Sequence, residues 1–303
     1  MEIEFLGQKL SSPLFVPSGI WPLTDGKEFT DALSDEAIGF VVLKTITIEE
    51  RKGNSGVRVY EGPCGMLNSI GLANPGLDNF LSLYREYPVA FPHIISIMAL
   101  SLDEIEIFAE KINLVSPWAI ELNLSCPNVS HGEISERLIS QTASLTYEFV
   151  KKAKSVFDAK IIAKLTPDIT DIVETAYSAQ EAGADGLALI NTISATRIDI
   201  EKMQSVFDRG VGGLSGPAIF PIALRKIMEV RQSQRIDIPI LGIGGVYNGP
   251  CAIEMALAGA DVIGIGSAFL RSPHGISDIW KQISQYLVSR NLKWRDIVGK
   301  AAS

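Results

Sequence analysis

The chain has 303 residues, 47% hydrophobic, 20% charged and 8% aromatic, with 27 Lys and Arg against 35 Asp and Glu for a formal net charge of −8. That hydrophobicity excludes a disordered chain, and 26 Gly and 15 Pro scattered without a period exclude a collagen-like or low-complexity one. The acidic balance has the wrong sign for a surface built on nucleic-acid phosphates.

The amino terminus, Met1-Glu2-Ile3-Glu4-Phe5, shows neither the basic nor the apolar region of a signal peptide. No apolar run reaches the roughly 20 residues that cross a bilayer, so a cytoplasmic protein is expected. Residues 2–10 read as a small β-hairpin plugging the N-terminal end of the domain. Short apolar runs of the kind buried on both faces of a parallel sheet then recur at Pro13–Val16, Phe40–Lys44, Ile94–Met98, Ala119–Leu124, Ile161–Leu165, Leu187–Asn191, Ile238–Ile243 and Val262–Ile265. Amphipathic helices separate them. In Ser101–Leu114, Ser101 and Glu104 form a capping-box pattern, and Ile105, Phe108, Ala109 and Ile112 recur at i, i+3, i+4 and i+7. Ala182-Gly183-Ala184-Asp185 before the sixth strand is echoed by Ala258-Gly259-Ala260-Asp261 before the eighth, each with a glycine suited to end a helix.

A doubly wound open sheet also alternates strand and helix, but eight βα units in one domain-sized chain favour closure. The expected fold is therefore α/β: a (β/α)8 TIM barrel with an N-terminal β-hairpin, a single domain over residues 1–303. Connections after strands 2, 4 and 6 carry extra segments, about residues 46–75, 126–140 and 192–218. These long loops fall on the carboxyl face of the strands, where barrel enzymes build lids and binding loops.

The strand ends carry Ser18, Lys44-Thr45, Asn123, Lys164, Asn191-Thr192, Gly244-Gly245 and Gly266-Ser267. A lone lysine finishing a strand is ordinarily a snorkelling or salt-bridged side chain. Two of them, Lys44 and Lys164, converging with asparagines indicate a polar site for an anion. Gly242-Ile243-Gly244-Gly245 and Gly264-Ile265-Gly266-Ser267 end strands 7 and 8, where barrels bind phosphate through backbone amides. Tight turns alone would also use glycine there; a phosphate-bearing cofactor is the sharper reading. It is not a Rossmann fingerprint, because the sixth position from Gly242 is Tyr247.

Cys64, Cys126 and Cys251 form no C-x-x-C, and with only His93, His131 and His274 no zinc-like spacing can be assembled. Cys64 and Cys251 read as small buried hydrophobes. Cys126 opens the insertion after strand 4, in Asn123-Leu124-Ser125-Cys126-Pro127-Asn128, where an activated thiol can act as base or nucleophile. No His–Asp pair for acyl transfer stands nearby in sequence, so proton abstraction is favoured over a cysteine hydrolase.

Together these motifs resemble the class 1 dihydroorotate dehydrogenases, and most of all the class 1B catalytic subunit. The likeness runs through Leu43-Lys44-Thr45-Ile46-Thr47, Gly65-Met66-Leu67-Asn68-Ser69-Ile70-Gly71-Leu72 with Asn74-Pro75-Gly76, and Glu121-Leu122-Asn123-Leu124-Ser125-Cys126-Pro127-Asn128-Val129. It continues through Asn191-Thr192, Gly212-Gly213-Leu214-Ser215-Gly216-Pro217-Ala218-Ile219 and the terminal glycine pairs. The resemblance implies FMN over the barrel mouth, with phosphate at Gly244-Gly245 and Gly266-Ser267. Further contacts would come from Ser18, Lys44, Thr45, Asn123, Ile190 and Gly216, and Lys164 would sit near the pyrimidine end of the flavin. It implies dihydroorotate held by Lys44, Asn68, Ser69, Ile70, Gly71, Leu72, Asn123, Asn191 and Thr192. Cys126 would take the C5 proton in oxidation to orotate, a step of pyrimidine (UMP) synthesis.

The chain departs from the class 1B pattern at three places. Ile97 stands where an asparagine near the flavin is usual at the end of strand 3. Ile20-Trp21-Pro22-Leu23 replaces a glycine-rich stretch, and Phe220 replaces a lysine. By resemblance the protein is a homodimer or a heterotetramer with an FAD and iron–sulfur subunit that passes electrons to NAD; fumarate, as in class 1A, is the other acceptor. The lack of an N-terminal amphipathic extension counts against the membrane-bound, quinone-using class. Two competing readings are a tRNA-dihydrouridine synthase, also an FMN barrel, and a catalytically silent flavin-binding barrel. The first needs a basic groove that a net charge of −8 does not suggest. The second would show loss of the base or the substrate lysine, and Cys126 and Lys44 are both present.

Overall fold

A computed structural model describes residues 3–21, 36–63, 65–87, 89, 91–125 and 139–303. Eight parallel strands, Leu14–Val16, Phe40–Val42, His93–Ile97, Ala119–Asn123, Lys160–Lys164, Gly186–Leu189, Ile240–Ile243 and Val262–Gly264, close into a barrel in chain order. Closure is made by the eighth strand pairing with the first, Ile263 opposite Leu14. The open-sheet alternative is thereby excluded. Several strands stop short of the apolar runs: Lys44 and Asn191 lie just past the paired residues, at the rim. The seventh begins at Ile240 because Pro239, with no N–H, contributes only its carbonyl, which accepts from Leu187.

Alternation along each strand separates two cores. Phe15, Phe40, Val42, Ile94, Ala119, Ile162, Ala188, Leu241 and Val262 fill the barrel interior. Val16, Val41, Ile95, Ile97 and Ile161 face the surrounding helices. The hairpin of Ile3–Phe5 and Gln8–Leu10 closes the amino end of the barrel, as expected, by adding Phe5 and Leu10 to the interior. Phe5 stacks on Phe40 at 5.9 Å, Phe40 on Phe15 at 4.6 Å, and Trp118 meets Phe40 edge-on at 5.4 Å. Each such buried ring contributes roughly 1.5–3 kcal/mol of transfer free energy. The bottom of the barrel is therefore solid, and chemistry is confined to the other end.

The helix Leu102–Ile112 starts where the capping pattern places it, with Ser101 Oγ accepting from the Glu104 amide at 3.2 Å. The Glu104 carboxylate reaches back one residue further than a capping box requires, to the Leu100 amide at 2.7 Å. Gly183 and Gly259 end their helices with φ of 96° and 122°, the left-handed region that admits glycine.

Two of the three extra segments are built into a sheet. Strands Val59–Gly62 and Gly65–Asn68 from the connection after strand 2 join Ile193–Ala195 and Gly212–Ser215 from the one after strand 6 in a four-stranded antiparallel layer. Of the third segment, residues 126–138 lie outside the described residues. No described helix is long and apolar enough to cross a membrane.

Candidate active site

Residues just past the carboxyl ends of the strands surround a cavity of about 330 Å³, within the size range of cofactor and ligand sites. Interior positions up to the middle of the barrel are apolar; above that level the second to fifth strands and their ends turn polar side chains inward, while Ile190 and Ile243 keep the sixth and seventh apolar. Lys164 ends the fifth strand and is 5% exposed, and Asn123 ends the fourth and is also buried. Lys44, two residues past Val42 on the same face, lines the cavity with them.

A hydrogen-bonded chain crosses five strands beneath this surface. Ser18 Oγ lies 3.0 Å from Thr45 Oγ1, which lies 2.8 Å from Ser96 Oγ. Ser96 donates to Glu121 Oε1 at 2.8 Å, and that oxygen lies 3.6 Å from Lys164 Nζ. Asn123 Nδ2 donates to Thr45 Oγ1 at 3.2 Å. Ser96 and Glu121 are site residues that reasoning from the sequence misses. The available signal is spacing by two: Glu121 shares the face of Asn123, and Ser96 that of the interior Ile94.

This placement corrects the reading of Ile97. Its side chain is fully buried on the helix side of the sheet with Ile95 and Phe108, so it does not face the site. The third strand presents Ser96 inward instead, with its hydroxyl bonded to Thr45 and Glu121 beneath the cavity.

The loops after strands 7 and 8 form another wall. Gly244, Gly245, Gly266 and Ser267 line the cavity together with Ser18, Ile190 and Gly216. The backbone amides of Gly245, Val246, Gly266 and Ser267 donate to no described residue. Gly245 has φ of 73°, and a Cβ there would stand 2.7 Å from Gly216 O and Phe220 N. At Gly266 the nearest atom to an added Cβ is Pro17 Cγ at 3.5 Å. Glycine at 245 thus serves the fold, and glycine at 266 keeps the cavity clear.

The four-stranded layer supplies the side facing the lysines. Asn68, Ile70, Gly71, Leu72, Asn191 and Thr192 line the cavity. Asn68 Nδ2 donates to Gly213 O at 3.2 Å, and a Cβ at Gly213 would collide with Thr192 Oγ1. Ser69 is placed differently: it is buried, and its Oγ accepts from Asn54 Nδ2 at 3.0 Å, away from the cavity lining.

Cys126 lies outside the described residues, as do Cys64 and His131. The described chain reaches the fully buried Ser125, which donates through Oγ to Asn123 Oδ1 at 3.2 Å and accepts there from Asn191 Nδ2 at 3.0 Å. Two site asparagines therefore fasten the residue that precedes Cys126. Cys251 is buried in the helix Gly249–Leu257, and burial pushes its thiol pKa up, which suits a small hydrophobe. Phe220 opens the helix Phe220–Gln232 beside Gly245.

A family model described as dihydroorotate dehydrogenase matches residues 1–287. The chain is 39% identical over 293 residues to the dihydroorotate dehydrogenase B (NAD(+)) catalytic subunit of Streptococcus pneumoniae, covering 95% of this chain and 92% of that one. It is 39% identical over 303 residues to the subunit of the same name from Pyrococcus abyssi, covering 99% of each. For that of Thermoanaerobacter pseudethanolicus the figures are 36% over 297 residues, 97% and 95%. Likeness along nearly the whole length of proteins so named puts the chain among oxidoreductases built on a (β/α)8 barrel. It belongs to the dihydroorotate dehydrogenase family, and the three relatives just compared are catalytic subunits of the B type.

Proposed function

We propose that the protein oxidises (S)-dihydroorotate to orotate with FMN, in the synthesis of pyrimidine nucleotides in the cytoplasm. The observation that carries this reading is one cavity with two unlike walls. One wall is a glycine cradle whose four amides donate to no described residue, and the rest of the lining carries two lysines and three asparagines. The cradle fits a phosphate, since backbone amides approach closely where no Cβ intervenes. The lysine and asparagine side fits a small planar anion rich in amides.

In this reading Gly245, Gly266 and Ser267 hold the FMN phosphate and Lys164 faces the ring. FMN, when bound, supplies the acceptor for the hydride leaving C6. Lys44 pairs with the substrate carboxylate, and Asn68, Asn123, Asn191 and Thr192 orient the ring amides. Cys126 removes the C5 proton as general base. Ser125, held by Asn123 and Asn191, ties the start of the Cys126 loop to the same asparagines that orient substrate. The name the relatives carry, catalytic subunit, supports a partner chain. We assign electron transfer to NAD through an FAD and iron–sulfur subunit. The cluster belongs to that partner, because three cysteines are fewer than the four thiolates such a centre takes.

The test is to purify the protein alone and mix it anaerobically with dihydroorotate while following visible flavin absorbance. Bleaching is expected. Bound flavin that stays oxidised would refute the substrate, and absence of flavin would refute the cradle.

A further inference from the structure

Glu121 faces the barrel interior from the fourth strand and is fully buried. The apolar layer containing Val42, Ile94, Ala119 and Ile162 fills the interior around and below its level, and the cavity that Asn123 and Lys164 line lies above. Its Oε1 receives the Ser96 hydrogen bond and lies 3.6 Å from Lys164 Nζ, while Oε2 accepts from no described residue. A buried carboxylate with an unpartnered oxygen is costly. Buried ion pairs add little stability over well-packed apolar residues of the same size. Packing therefore does not account for Glu121.

The hydroxyls around it settle the direction of the chain. Each hydroxyl carries one proton. Ser96 gives its proton to the carboxylate, so it accepts from Thr45 Oγ1, and Thr45 in turn accepts from Asn123 Nδ2. Donors point one way, from the cavity wall at Asn123 to the charge on Glu121. Among the described residues lining the cavity, the charged side chains are Lys44 and Lys164. The neighbouring sixth strand brings only Ala188 and, just past its end, Ile190 to this side.

We propose that Glu121 is a positioning residue, the internal counter-charge of Lys164, which holds the ammonium at the cavity floor and damps its positive field on an anionic ring above it. This rests on the flavin reading of the site. A cation near the ring favours the reduced, anionic form, so a carboxylate 3.6 Å behind that cation lowers the preference and sets how readily electrons leave again.

Glu121→Gln keeps the size and the acceptor for Ser96 and removes the charge. In the FMN-loaded full chain without substrate, the preference for reduced over oxidised FMN should rise about tenfold, about 30 mV for a two-electron couple. It is read as the midpoint potential against a reference dye. Glu121→Gln/Lys164→Met should lose the gain. A potential that is unchanged or lower in Glu121→Gln overturns the proposal. A second comparison does not need flavin or the survival of that single variant. Lys164→Met leaves a buried, uncompensated carboxylate, and adding Glu121→Gln should raise its thermal unfolding midpoint. A double variant no more stable than Lys164→Met also overturns the proposal. If the wild-type chain binds no FMN, the flavin reading fails instead, and the stability comparison alone decides whether the two charges are paired.

Discussion

Asp185 and Asp261 occupy the same point in two different βα units. Asp185 accepts from the Ile161 amide at 2.8 Å, and Asp261 from the Ile240 amide at 2.8 Å. Each returns the bond from its own amide, to Ile161 O at 2.7 Å and Ile240 O at 2.8 Å. Cations cover both carboxylates, Lys154 and Lys160 on the first and Arg231 on the second. The repeated Ala-Gly-Ala-Asp thus stops a helix and stitches the next strand to its neighbour. Replacing either aspartate by alanine should cost about 1–3 kcal/mol, because a strand amide loses its acceptor. Urea unfolding measures this, and a loss under about 0.5 kcal/mol would show that the stitch is ornamental.

Cys126→Ala should leave the fold and FMN binding intact and slow reduction by dihydroorotate at least about a hundredfold, the scale of losing a general base. Cys126→Ser should retain part of the rate. Rapid-mixing absorbance separates the cases, and an alanine variant as fast as wild type would mean that another group takes the proton.

Lys44→Ala should act on binding. A charge-assisted hydrogen bond is worth about 1.5–3 kcal/mol, so KM for dihydroorotate should rise about tenfold to a hundredfold with a smaller change in kcat. Steady-state kinetics with an artificial acceptor would show the opposite pattern, lower kcat at unchanged KM, if Lys44 worked on the chemical step.

Gly245→Ala and Gly266→Ala should part company. At 245 the new methyl meets Gly216 O and Phe220 N at 2.7 Å with φ of 73°, so thermal stability should fall. At 266 the methyl meets Pro17 at 3.5 Å and otherwise open space, so the fold should hold while FMN retention on gel filtration drops. Loss of stability at 266, with flavin retained, would contradict the assignment of that glycine to the cofactor.

His93 gives the protein an acid limit remote from the site. Nδ1 lies 2.6 Å from Phe91 O, which can only accept, so Nε2 at 2.6 Å accepts from the Tyr84 hydroxyl. Burial holds the imidazole pKa below the usual histidine value, against the opposing pull of the Phe91 contact. The unfolded chain therefore binds this proton at a pH where the folded one does not. The contribution of His93 is complete above about pH 6.5 and shrinks as pH falls through the folded value. Unfolding free energy should be lower at pH 5.5 than at 7.5, with a shallower difference in His93→Gln. An equal difference in the two proteins would remove His93 as the cause.

The barrel is readable because strands buried on both faces write continuous apolar runs such as Ile161-Ile162-Ala163, and helices between them keep a different period. The rim residues are readable with it, since a lysine or asparagine ending such a run has only the mouth to face. The four-stranded layer is not. Gly212–Ser215 has almost no strand propensity of its own and is a strand because Gly65–Asn68 pairs with it. Ile97 and Ser96 show the limit at the site itself. A shift of one residue reverses which side chain looks inward, and a single sequence does not fix that parity where a strand is apolar on both faces.

The layer over the mouth also governs how the protein is made. Asn68 and Gly213 are bonded across 145 positions of chain, so the wall that holds Asn68 beside Thr192 cannot exist until synthesis has passed the sixth strand. Contacts of such range bear their loop-closure entropy before they are rewarded. The amino-terminal half can form its strands and helices early, but its cavity lacks both the wall from the later insertion and the loops after strands 7 and 8 until the rest of the chain has been made.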